Sequence, residues 1–185
     1  MVAAPMQVYL VRHPQPSGIG GLCYGRLDVA VEPQAIHSTA ESVGSEISAQ
    51  TLSSARVYSS PSLRCLELAR RLASPRRPTA AEDLMEMSFG DWEGLAWDAV
   101  PREQLDAWAG DVWNYRPGGG ESAEMVAERW LRWLNQVRRT DGGAIVAVTH
   151  AGVIRVALAR AGRLNGLSAI ETPIPFGSVH RLDLA

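Results

Sequence analysis

Two histidines close apolar runs: His13 follows MQVYLVR, and His150 follows AIVAVT. Imidazole has an ordinary pKa near neutrality, so it can present a neutral nitrogen as a nucleophile or, when protonated, donate to an anion. Arg12 stands beside His13, and Arg64 falls in the first turns of a helix-like run that also follows a strand-like one. Guanidinium groups match phosphate oxygens two at a time and stay charged, so the set suggests an oxyanion pocket. The small pair Ala151-Gly152, directly after His150, begins a helix whose first amides are suited to the same anion. Taken singly, each histidine suits a structural role and each arginine a surface pairing with one of the 20 acidic residues. Their shared placement at strand ends favours the pocket, because ligands of open α/β sheets gather beyond the carboxyl ends of the strands.

The elements that carry these residues are readable from pattern. Gln7 to Val11 and Ala144 to Thr149 are short and almost continuously apolar, as strands buried on both faces are. Arg56 to Tyr58 reads as a third strand running into a helix, with Ser60 as N-cap and Pro61 at the first helical position. In that helix Leu63, Leu66 and Ala69, then Leu72 or Ala73, are expected on the core, with Arg70 and Arg71 in water. Ser122 is expected to cap a longer helix in which Val126, Trp130, Trp133 or Leu134, and Val137 recur at helical spacing. No basic stripe surrounds Trp130 and Trp133, so they read as core and not as a stacking platform for bases. FGSVHRLDL alternates enough for a final strand, with His180 placed by periodicity alone.

Other chemistries fit poorly. The four histidines, 13, 37, 150 and 180, include no His-x-x-x-His, and Cys23 and Cys65 are too far apart for a metal pair, so no metal is expected. There is no Gly-x-Ser-x-Gly, and PGGGES has neither a P-loop lysine nor dinucleotide spacing. With 18 basic residues against 20 acidic ones, a nucleic-acid partner is not expected. No apolar stretch or leader suits a membrane span or a signal peptide, which makes the cytoplasm the default. The 185 residues, 46% hydrophobic and 21% charged without low-complexity tracts, suit one globular α/β domain over 1-185. A homodimer is left open.

Four segments resemble the histidine phosphatase superfamily, also described as phosphoglycerate-mutase-like. LVRHPQP is similar to its Arg-His-Gly signature, and YSSPSLRCLELARRLA to its Ser-Ser-x-x-x-Arg segment. LMEMSFGDWEG is similar to its Leu-x-Glu-x-x-x-Gly-x-x-Glu-Gly segment, and VTHAGVIR to its second-histidine motif. The order agrees, and the segments span residues 7 to 155. The resemblance implies a three-layer α/β/α sandwich with a mainly parallel central sheet and no cofactor. It implies His13 as a nucleophile that becomes phosphohistidine, with Arg12, Arg64 and His150 on the phosphoryl oxygens and Glu86 as proton donor. Trp92 is the expected shield of Glu86 from water.

CYGRLDVAV and MEMSFGDWEG look most like the small phosphatase-type members, among them the α-ribazole-5'-phosphate phosphatases. A phosphatase acting on a small phosphorylated metabolite is therefore expected ahead of a mutase or a non-catalytic phospho-ligand-binding module. Tyr24, Arg26, Glu121 and Ser122 are candidates for reading the rest of the substrate. Against this stand turn packing for Tyr24, surface charge for Arg26 and helix capping for Ser122. One departure stands out: Pro14 occupies the position where the family usually has glycine, removing an N–H beside the phosphate. The prolines of RHPQP are expected to shape the rim of the site.

Overall fold

Along β1 (Met6–Arg12) and β4 (Ala144–Thr149), alternate side chains enter two different cores, which is why both runs read as continuously apolar. Val8, Leu10, Ile145 and Ala147 face one cluster; Tyr9, Val11, Val146 and Val148 face the other. The computed structural model describes residues 6–139, 143–164 and 172–184. Among these, β2 (Arg56–Ser59), β3 (Thr79–Ala80) and β5 (Val179–Leu184) complete a sheet in the order β3-β2-β4-β1-β5. All neighbours are parallel except β5, which returns antiparallel to β1 at the edge.

One face of the sheet carries α1 (Pro33–Glu46), α2 (Ala49–Ser54) and α3 (Leu63–Ala73). The other carries α5 (Ala123–Arg138) and α6 (Ala151–Arg160), so the chain is a three-layer α/β/α sandwich. α5 begins where expected, with Ser122 Oγ accepting from Met125 N at 3.3 Å. Its buried stripe of Val126, Trp130, Trp133, Leu134 and Val137 is the predicted one. Trp130 and Trp133 pack at 5.0 Å inside the core. Among the described residues no helix is long and apolar enough to cross a membrane.

α3 departs from expectation at its start and in its facing. Its N-cap is Ser62, not Ser60, and Pro61 lies before the helix. The Ser60 hydroxyl is engaged by His150, and Asp28 Oδ1 accepts from Leu63 N at 3.0 Å, capping the helix from a distant loop. Starting later, α3 buries Cys65, Leu68, Ala69 and Ala73, while Leu63 is exposed. Arg64 thereby turns inward.

The segment between β3 and α5 contributes α4 (Arg102–Gly110) and a satellite cluster of Trp92 and Val100 with Trp97, Trp108 and Tyr115, packed on Cys23 from the loop before α1. The glycines of PGGGES lock this segment by backbone contact. A Cβ on Gly118, whose φ is +56°, would meet Phe89 O at 2.2 Å, and one on Gly120 would meet Ser88 O at 2.1 Å. Gly119 has φ +75° but open space around it. Gly119→Ala therefore carries only the left-handed backbone cost, about 1 kcal/mol, whereas Gly118→Ala adds a collision with main chain and should cost at least about 3 kcal/mol. Urea denaturation of both variants measures the gap, and equal losses would remove the close approach as its cause.

Candidate active site

Parallel pairing places Arg12 opposite Thr149, and His13 N donates to Thr149 O at 3.0 Å. Both strands therefore end at the same level, and the His13 and His150 rings lie 5.1 Å apart at 63°. His13 is 1% exposed and His150 is 0% exposed. His13 Nδ1 is 2.7 Å from Pro14 O, a carbonyl that can only accept. The proton accordingly sits on Nδ1, and Nε2 keeps its lone pair. Burial, followed by the Arg64 and Arg12 charges, outweighs the Pro14 bond and lowers the His13 pKa from 6.5 to about 3. The imidazole is neutral at physiological pH.

Both prolines of RHPQP, expected to shape the rim more than the chemistry, are buried, and Pro14 bears on the chemistry directly through its carbonyl on His13 Nδ1. Pro14 contributes a carbonyl that orients the imidazole, in place of the amide it lacks. His150 is held by Ser60, whose Oγ lies 2.8 Å from Nε2, with Cys65 Sγ at 3.4 Å from the same nitrogen. Burial, then the repulsion that would arise between the two adjacent imidazoles were both protonated, and the Arg64 charge push its pKa well below the usual value.

Two guanidinium groups complete this end of the sheet. Arg64, fully buried, donates to Gly25 O at 2.6 Å and Leu27 O at 2.7 Å, while its Nε is buried without a partner. Arg12 donates to Ile174 O and lies 3.6 Å beneath the Phe176 ring, and its Nε is likewise buried and unpartnered. Tyr24 lies with its ring 5.2 Å from the Arg64 guanidinium carbon and 6.5 Å from the His13 ring, and burial raises its pKa. These residues form one cationic cluster around a neutral histidine.

Glu86 stands next to it. Its carboxylate accepts from Gly152 N at 3.1 Å, at the start of the helix that His150 caps, and from Met87 N at 2.9 Å. Ala151 is the first residue of that helix and is buried. Thr149 Oγ1 fixes the approach by donating to Leu84 O at 2.7 Å. The expected shield is different: Trp92 is buried in the satellite cluster and donates to Gln104, while Trp108 and Trp113 line the space beside Glu86.

The remaining sequence candidates lie behind the acid. Arg26 donates from Nε to Glu86 O at 3.2 Å and pairs with Glu121 Oε1 at 3.0 Å. Glu121 also binds Arg129 through both oxygens at 3.1 Å and accepts from Ser88 N at 3.0 Å. Burial works against its charge, but Arg129, Ser88 and Arg26 outweigh burial and hold its carboxyl below the usual range. These contacts brace the acid loop, and Ser122 is occupied in capping α5. Sequence reasoning did not single out Ser60 as a partner of His150, Phe176 over Arg12, or Arg155 beside Glu86. For Arg155 a signal was present, one helical turn past Ala151 within VTHAGVIR.

The depressed His13 pKa has a stability consequence. The unfolded chain binds this proton below about pH 6.5, and the folded chain does so only near pH 3, so stability falls as pH drops through that window. His13 alone should lower unfolding free energy by about 2 kcal/mol between pH 8 and pH 5. His13→Gln should flatten the profile by that amount in urea titrations at the two pH values. An unchanged slope would show that the imidazole is not buried neutral.

Comparison with known proteins places the chain by family and fold. The chain is 30% identical over 164 residues to phosphoglycerate mutase-like protein 4 of Arabidopsis thaliana, covering 84% of this chain and 70% of that one. It is 32% identical over 78 residues to an Arabidopsis metal-independent phosphoserine phosphatase, covering 40% of this chain and 33% of that one. A crystal structure of phosphoglycerate mutase from Thermus thermophilus superposes with a TM-score of 0.73 at 27% identity, covering 96% and 93% of the two chains. The family profile matches residues 8–185 from strand β1 onward, and the chain belongs to the histidine phosphatase superfamily, branch 1.

Proposed function

We propose that the protein is a metal-independent phosphomonoesterase that works through a phosphohistidine on His13. The observation that carries this reading is a neutral imidazole, its Nδ1 held by Pro14 O, beside two buried guanidinium Nε atoms that have no partner. Buried unpaired donors are costly, and a phosphoryl group supplies acceptors for both. The positive charge that phosphoryl transfer requires then comes from Arg12 and Arg64.

In the first step His13 Nε2 attacks phosphorus in line, an N–P bond forms, and the bond from phosphorus to the ester oxygen breaks. A proton on Glu86 passes to the departing alkoxide, so the alcohol leaves neutral. In the second step water attacks phosphorus while the Glu86 carboxylate takes its proton. The N–P bond then breaks, releasing phosphate and restoring the neutral histidine. Throughout, Pro14 O keeps the proton on Nδ1, and His150, held by Ser60, lies alongside the reacting group.

Hydrolysis is favoured over mutase chemistry by the phosphatase-type character of CYGRLDVAV and MEMSFGDWEG and by the phosphatase named among the relatives. α-Ribazole-5'-phosphate is the specific metabolite we place first for assay. Cys23 and Cys65, both free and buried, suit the reducing cytoplasm.

His13→Ala should lower kcat/KM for phosphate esters at least about 1,000-fold with its circular dichroism retained, and wild-type turnover should persist in excess chelator. Full activity in that variant would remove the mechanism. Incubation with 3-phosphoglycerate separates the classes, since a phosphatase releases phosphate and a mutase returns an isomer. Glu86→Gln should slow phosphoenzyme formation from alkyl phosphates by about 100-fold or more but from p-nitrophenyl phosphate by less than about 10-fold, because nitrophenolate leaves without a proton. Rapid-quench measurement of the first turnover reads both, and equal losses would remove Glu86 as the acid.

A further inference from the structure

An open pocket with a cavity volume of about 110 Å³ adjoins Glu86, lined by Glu86, Phe89, Trp108, Val112, Trp113 and Arg155 among others. Arg12, His13 and Arg64 do not line it. Glu86 is the side chain common to this pocket and to the helix start that His150 caps. If the phosphoryl group occupies the cationic site, the ester oxygen must lie toward Glu86 to receive its proton, and the rest of the alcohol continues into this pocket.

Its walls fix what kind of alcohol fits. Trp108 stacks on Trp97 at 6.3 Å and 8° and meets Phe89 edge-on at 5.8 Å, so the wall is preorganised before any ligand enters. Trp113 is backed by the Arg160 guanidinium at 5.2 Å. Arg155, tied through Nε to Thr172 O at 3.3 Å, lines the same pocket as Glu86, one helical turn past Ala151 on α6. Its planar guanidinium gives a flat ring a face to stack on. A polyol would lose water to indole and phenyl faces without regaining hydrogen bonds, whereas an aromatic ring gains edge and face contacts.

We infer that this pocket is a leaving-group subsite selecting phosphomonoesters whose alcohol carries an aromatic ring, an inference that rests on the phosphatase reading above. The test compares phenethyl phosphate with ethyl phosphate, whose alcohols ionise alike, so leaving-group chemistry is held constant. For the unmodified protein, kcat/KM should favour the phenethyl ester by about 30-fold. Trp113→Ala should reduce that ratio below about 5, and Trp113→Phe should restore most of it. A wild-type ratio near one, or a ratio untouched by Trp113→Ala, would overturn the inference. If neither ester releases phosphate, the phosphatase reading fails by itself, and calorimetric dissociation constants of the same two esters then decide the pocket. A preference of about 30-fold in binding sustains it, and equal constants overturn it.

Discussion

The parallel register of β1 against β4 is the constraint on which the site depends. Arg12 lies opposite Thr149, and the next residue on each chain is a histidine. Because side chains alternate with a period of two, a slip of one residue would send each apolar side chain to the opposite core. It would also separate the two imidazoles. The register is held from both faces, by Val8, Leu10, Ile145 and Ala147 against α5 and α6, and by Tyr9, Val11, Val146 and Val148 against α1 and α3. The hydrophobic core is thus also the device that sets the spacing of two catalytic candidates at 5.1 Å.

That placement makes the electrostatics follow. Arg64 enters the protein with no exposure, and the partners of its terminal nitrogens are the backbone carbonyls of Gly25 and Leu27. Carbonyls satisfy hydrogen-bonding capacity without cancelling the charge, so the field of the guanidinium stays available to a ligand. The same field, together with burial, drives His13 and His150 to their neutral forms. A carboxylate in place of those carbonyls would stabilise the empty protein and blunt the pocket. Here the positive charge is retained where a dianion can meet it.

β1, β2, β4, β5, α5 and α6 are legible in the sequence because each is a continuous apolar run or keeps a helical or alternating pattern, whereas β3, two exposed residues, leaves none. The histidines and arginines stand out at element ends, but Glu86 is legible only through the family resemblance of its segment. What is not legible is the choice of partner. Ser60 has the composition of a helix cap, yet its hydroxyl meets His150, 90 positions away, and Asp28 caps the helix instead. Glu121 reads as a free carboxylate until Arg129 and Arg26 are seen to occupy it. α1 escapes detection for another reason: only Val43 among its 14 residues is buried, so burial imposes little pattern on it. Pro14 shows the converse, since loss of its N–H is evident in the sequence while the use of its carbonyl depends on where the His13 ring turns.

The proposed acid, Glu86, is mounted differently from the proposed nucleophile, His13. His13 stands at the end of a central strand, but Glu86 belongs to a loop held by glycine backbones of the 117–120 turn and by the Arg26–Glu121–Arg129 chain. That chain grips backbone on both sides of the acid: Arg26 holds Glu86 O, and Glu121 holds Ser88 N. The same 88–118 region supplies the aromatic pocket wall through Phe89, Trp108 and Trp113. On the proposed mechanism the sheet carries phosphoryl capture, and the segment between β3 and α5 carries both the proton donor and the surface the alcohol would meet. Sequence change within that segment can retune the alcohol while the strand-borne cationic cluster is left intact, provided the glycine contacts and the Glu121 ion pairs still fix the carboxylate at Gly152 N.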